Sequence, residues 1–261
     1  MIGSGCILRS ESSRVNVSIR GVSMATGEDL AGAYKRWLNE LALRCPEFLG
    51  DTYSNPYYAF EPDDWEVGKP RVLVVGEEGF GLGGHGKEDG LEPHDIPSLQ
   101  EISKQYMYEQ VYLSRTEGGC SNRSAFWRRI RKMAAEDISI SWTNIDKIHH
   151  RRAKGCALTA EERSRLHSLQ NRILASEIDI LRPAVLVFFG WYGISLQHEL
   201  PEVFSGLYPA GLGDTSRWFQ NVVPIEQSGR TYLFTYHPSW GSRQKDYEEK
   251  VLAAFRHAIE K

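Results

Sequence analysis

The chain has 261 residues, 41% hydrophobic and 25% charged, an ordinary globular composition that allows one large domain with a substantial core. Its formal net charge of −3 excludes a molecule coated in positive charge for nucleic acid, so any DNA contact must come from a local basic face. No run of roughly 18 apolar residues occurs and residues 1–23 hold no compact apolar stretch, which supports neither a membrane span nor a secretory signal.

The four cysteines, Cys6, Cys45, Cys120 and Cys156, lie far apart with no CxxC pair. They read as free thiols in a reducing, cytoplasmic setting, and their spacing suits neither a zinc knuckle nor a disulfide scaffold. The Ser/Arg-rich opening, 1–23, is unpatterned and reads as a disordered extension to a single domain spanning 24–261.

In chain order, Thr26 is a candidate cap for a first helix over Leu30–Leu43. Pro46 to Asp64, rich in Pro, Asn, Asp and Tyr, reads as a long surface loop. Arg71–Val75 is a continuous β-branched run, as in a strand covered on both faces. Gly76-Glu77-Glu78-Gly79-Phe80-Gly81 follows it directly, and the glycine-rich stretch to Pro97 suggests a mobile lid or insertion.

Residues 99–112 and 124–135 read as helices, and Ile138–Trp142 as a second strand ending at Thr143-Asn144. Thr159 and Glu162 form a capping box that opens a helix to Leu181, stopped by Pro183. Ala184–Phe189 and Thr231–Thr235 complete four short apolar strands separated by helix-length segments. The pattern predicts an α/β fold, a three-layer α/β/α arrangement around a mostly parallel four-stranded sheet.

Open α/β sheets build their sites where strands end. Three such ends carry chemistry: Gly76-Glu77-Glu78, Thr143-Asn144-Ile145-Asp146-Lys147, and His237-Pro238-Ser239-Trp240. A carboxylate can orient water, one asparagine amide offers donor and acceptor side by side, and a histidine can donate a hydrogen bond to developing negative charge. Each has a plainer structural reading; the series and its order carry more weight than any member.

This series resembles the uracil-DNA glycosylase superfamily, over roughly residues 70–245. The resemblance implies a uracil-DNA glycosylase-like fold and a monofunctional DNA glycosylase that flips out a damaged or modified base and hydrolyses its N-glycosidic bond. On it, Glu78, His237 and Asn144 are the catalytic residues; Gly76, Glu77, Gly79 and Phe80 line the pocket, with Tyr106, Tyr108 and Tyr112 as further stacking candidates. Lys147, Arg151, Arg152, Ser239, Trp240 and Arg243 would contact DNA.

Gly79 stands where the family has proline, and Cys120 where relatives carry a stacking aromatic beside a segment similar to Asn122-Arg123-Ser124-Ala125. These departures suggest a roomier pocket, so the substrate is either uracil or another deaminated base, in repair, or a bulky modified cytosine such as glucosylated hydroxymethylcytosine, in anti-phage defence. No cofactor, metal or iron–sulfur cluster is expected, and a monomer acting on DNA is. A catalytically silent DNA-binding protein on the same fold and an α/β enzyme acting on free nucleotides stay open as alternatives.

Overall fold

The structure, a computed structural model, describes residues 25–65, 67–78, 85–113, 124–151, 158–190, 220, 222–227, 229–238 and 246–261. Five strands form one mixed sheet: β1 (Arg71–Glu78), β2 (Ser139–Asp146), β3 (Val185–Phe189), β4 (Ile225–Gln227) and β5 (Arg230–Thr235), in the order β2-β1-β3-β5-β4. The pairs β2/β1, β1/β3 and β3/β5 are parallel. β4 runs antiparallel to β5 and adds an edge strand that the sequence reading lacked, because three residues carry no period.

Among the described residues five helices accompany the sheet: α1 (Ala25–Arg44), α2 (Ile96–Val111), α3 (Ala125–Met133), α4 (Ala160–Leu181) and α5 (Tyr247–Ile259). Successive strand side chains point to opposite faces, and β2 shows what covers each. Trp142 packs on Tyr106 of α2 and Trp127 of α3, while the neighbouring Thr143 hydroxyl donates to Glu177 of α4 at 2.9 Å. Helices therefore cover both faces, and Leu73, Val74, Val75, Leu186, Val187 and Phe188 are fully buried between them.

The α4 start follows the sequence directly. The Thr159 hydroxyl accepts from Glu162 N and the Glu162 carboxylate accepts from Thr159 N, so two backbone donors of the first turn are satisfied. At the other end Trp65 Nε1 donates to the Leu181 carbonyl at 2.9 Å, one of the carbonyls a helix terminus leaves without a partner. α1 lies along α4, with Trp37 Nε1 donating to Leu169 O at 3.0 Å.

The stretch expected as a surface loop is a different object. After a 3-10 turn at Pro46–Leu49, residues Ser54 to Phe60 are all buried and form a strap beside β2 and the chain beyond it. Tyr57 N donates to Lys147 O, Ser54 N to His149 O, and the Ser141 hydroxyl to Phe60 O. Burial of Tyr58 is tolerated because its hydroxyl donates to the Pro93 carbonyl at 2.8 Å.

The expected lid is also packed where it is described. His85 is 2% exposed, and Asn55 Nδ2 donates to the carbonyls of His85 and Leu91. Gly86 adopts φ +83°, with Leu99, Leu91 and Ile102 crowding the place of a Cβ, so glycine is required there on both counts. Residues 81–84 lie outside the described residues, as does the 1–23 extension. Among the described residues no helix is long and apolar enough to cross a membrane.

Candidate active site

The strand order creates a crevice. From β1 the chain crosses to β2 on one side, and from β3 it crosses to β5 on the other, so the carboxyl ends of β1 and β3 flank the point where the winding reverses. Asn144 lies at the carboxyl end of β2 and pairs in register with Gly76 of β1; His237 follows β5 by two residues. Both β1 and β2 run further than their apolar cores suggested, so Gly76-Glu77-Glu78 and Thr143 to Asp146 belong to strands rather than to loops.

The Asn144 side chain is fully buried and held by two neighbours. Trp142 Nε1 donates to its Oδ1 at 3.2 Å, which turns the amide nitrogen away, and among the described residues Nδ2 has no hydrogen-bond partner. An unpaired buried amide donor is costly and in native proteins calls for an explanation. Gly76 makes the arrangement possible: a Cβ on it would run into Asn144 Oδ1 and stand 3.4 Å from both Phe126 and Trp142. Oδ1 retains a second lone pair, so Asn144 can still offer a donor and an acceptor side by side.

Phe126 links these strand ends to the histidine. Its ring stacks over His237 at 6.2 Å with an interplanar angle of 18°, and packs edge-on to Phe189 at the end of β3 at 5.5 Å. It also lies 6.0 Å from the Trp142 ring. α3 presents it because Ser124 caps the helix, its hydroxyl accepting from Trp127 N at 3.3 Å. Sequence reasoning missed Phe126; the signal was the aromatic pair Phe126-Trp127 just after the capping serine, whereas the aromatic was expected upstream of Asn122-Arg123, where Cys120 stands.

His237 is half-buried, and burial first, then the positive charge of Arg129, hold its imidazole below the ordinary histidine value. A neutral ring at physiological pH can donate one hydrogen bond and accept another. A comparison with protein-family models and with curated proteins found no match. What the site can do therefore rests on its own geometry: an amide donor at the carboxyl end of β2, an aromatic face from the start of α3 and a neutral imidazole just after β5.

The remaining expected site residues divide. Glu77 is half-buried at the end of β1, and Glu78 pairs in register with Asp146 through its backbone. Tyr106 packs 5.6 Å from Trp127 and 6.2 Å from Trp142, within the aromatic layer that carries Trp142. Tyr108 is 48% exposed and pairs with Tyr112 beside a cavity of about 500 Å³ that also touches Ile138 and Ile140, at the start of β2 and away from Asn144. Gly79, Phe80, Arg152, Ser239, Trp240 and Arg243 lie outside the described residues.

Lys147 requires a correction. It is 1% exposed, and its Nζ donates to Glu177 Oε2 at 2.6 Å and to the Thr143 hydroxyl at 2.5 Å, so it braces the end of β2 against α4 and faces no DNA. Its basic neighbours are similarly engaged. His149 is buried against the Ser54 hydroxyl, His150 sits 3.0 Å from Glu162, and Arg151 approaches Glu88 at 3.6 Å. In the other cluster Arg129 is buried, Arg131 donates to Gln110 O, and Lys132 pairs with Glu248 at 2.8 Å.

Among the described residues no group of three or more His, Cys, Asp and Glu side chains is arranged to hold a metal ion.

Proposed function

We propose that the protein is a monofunctional DNA glycosylase of uracil-DNA glycosylase-like fold, acting on a base flipped into the crevice at the β1 and β3 ends. The observation that carries this reading is the buried Asn144 amide, its Oδ1 against Gly76 and its Nδ2 without a partner among the described residues, beside the Phe126–His237 stack. A flipped base needs an edge reader, a flat apolar face and a donor for the departing ring, and these three groups supply them. The order of the motifs along the chain supports the same reading.

In the reaction the C1′–N bond breaks with its electron pair going to the base, whose growing negative charge accepts a hydrogen bond from His237. Water adds its oxygen to C1′ and gives its proton to the Glu78 carboxylate, which also stabilises the cationic sugar before attack. The products are an abasic site and the base anion, which becomes the free base on taking up the proton that Glu78 releases. The substrate is either a deaminated base such as uracil or a bulky modified cytosine.

The engagement of Lys147, His149, His150 and Arg151 favours a second reading, an enzyme acting on a free nucleotide, because it leaves less charge for a duplex. Base release should be measured on duplexes carrying uracil, hypoxanthine, hydroxymethylcytosine and glucosylated hydroxymethylcytosine, as alkali-labile sites, with Glu78→Ala as control. Release from one substrate, lost in the variant, upholds the glycosylase. Duplex binding without abasic sites leaves a silent reader, and absence of salt-sensitive duplex binding favours the nucleotide enzyme.

A further inference from the structure

Arg129 of α3 is 2% exposed, yet among the described residues no carboxylate lies within ion-pair distance of it. Its Nη1 donates to the Tyr236 carbonyl at 3.3 Å, and among the described residues its Nε has no partner. The guanidinium carbon stands 5.5 Å from the Phe189 ring and 5.9 Å from the Tyr247 ring, contacts that offset part of the cost of burying a cation. Glu248 of α5 acts on it only from farther away and is itself paired with Lys132. A buried charge this poorly compensated is disfavoured for stability.

Its position explains why it is kept. Residues three apart share a helix face, so α3 presents Phe126 to the His237 ring and Arg129 to the backbone just before His237. Tyr236 N is meanwhile held by the Tyr247 hydroxyl at 2.9 Å, which fixes the end of β5 from α5. Among the described residues the titratable and charged groups gathered on this side are Arg129 from α3, Tyr236 from the end of β5, and Tyr247 and Glu248 from α5, and Arg129 brings a positive charge to the ring.

We propose that Arg129 is a positioning residue that fixes the Tyr236–His237 strand end and supplies, from behind the site, the positive charge that stabilises the anion forming on a leaving base held by His237. The inference rests on the glycosylase reading for the identity of the leaving group. No proton leaves Arg129; the bond-breaking electron pair stays on the base, and the guanidinium acts through its field in a poorly solvated site.

The test compares Arg129→Met and Arg129→Lys with the unaltered protein. Three quantities are read: base release from duplexes carrying uracil or the better leaving group 5-fluorouracil, the His237 imidazole titration by NMR, and the melting temperature. Arg129→Met should lower uracil release about 10- to 100-fold, with a smaller loss for 5-fluorouracil, and Arg129→Lys should recover most of it. The His237 titration should move upward in Arg129→Met, and the melting temperature should hold or rise, as when an unpaired buried charge becomes apolar.

An unmoved His237 titration, or equal losses on the two bases, overturns the proposal. If the unaltered protein releases neither base from these duplexes while Arg129→Met still moves the titration upward, the glycosylase reading fails for them and Arg129 stands as the group that sets the charge at His237.

Discussion

Gly76 and Asn144 face each other across β1 and β2, and the missing side chain of the first is the space that the amide of the second occupies. Gly76→Ala should displace the amide rather than unfold the chain. The expected cost is about 1–3 kcal/mol of stability, with base release reduced about 100-fold by the misplaced reader. Thermal melting and single-turnover kinetics on the same preparation check both; wild-type rates in Gly76→Ala would remove Asn144 from the site.

Lys147 and Glu177 form a buried pair shared with Tyr34, whose hydroxyl donates to Glu177 Oε1 at 2.6 Å. Lys147→Met strands a carboxylate in the core and should cost about 3–5 kcal/mol, of which Glu177→Leu in the same chain restores part. Urea unfolding measures this. The salt dependence of duplex binding should not change in Lys147→Met, whereas a lysine that contacted phosphate would lower the slope.

His85 has its imidazole pushed down to about 4, by burial first and then by His149, against a smaller opposing effect of Glu88. Its unfolded value is the ordinary 6.5, so between pH 6.5 and 4 the unfolded chain binds the proton that the folded one refuses. Stability from this group is complete above that window and falls as pH drops through it. His85→Asn, which suits the positive φ of 48°, should flatten the decline seen in melts taken from pH 7 to 4.

Glu162 loses its contribution in the same direction but in a lower window. Burial raises its carboxyl, but hydrogen bonds from Tyr53, Thr159 and His150 outweigh it and bring the value down to about 2 from 4.5. A depressed carboxyl contributes stability above its unfolded value and loses it as pH falls through the folded one. Glu162→Gln should therefore be less stable than the unaltered protein at pH 7, with the difference closing between pH 4.5 and 2. A constant difference across those melts would show that the cap alone accounts for Glu162.

The strands β1, β3 and β5 were legible because a strand buried on both faces must be a continuous apolar run, and the Thr159 cap because its partner lies three residues away. The strap Ser54–Phe60 was not, since its Tyr, Pro and Asn content imitates a surface loop until the Tyr58 hydroxyl meets Pro93 O. Lys147 looked like part of a basic patch because its partner, Glu177, lies thirty residues further on. Asn144 and His237 were singled out as candidates by motif, whereas Phe126 comes beside His237 only once α3 is folded over the strand ends.

The strap has a bearing on how copies of this chain meet one another. β2 is an outer strand of eight residues, long enough to template pairing with a stranger, yet every one of its residues is buried. At the opposite border β4 offers three. With the long border closed and the open one short, the sheet has little purchase for edge-to-edge growth, and crowded copies are guarded against fibril-like stacking.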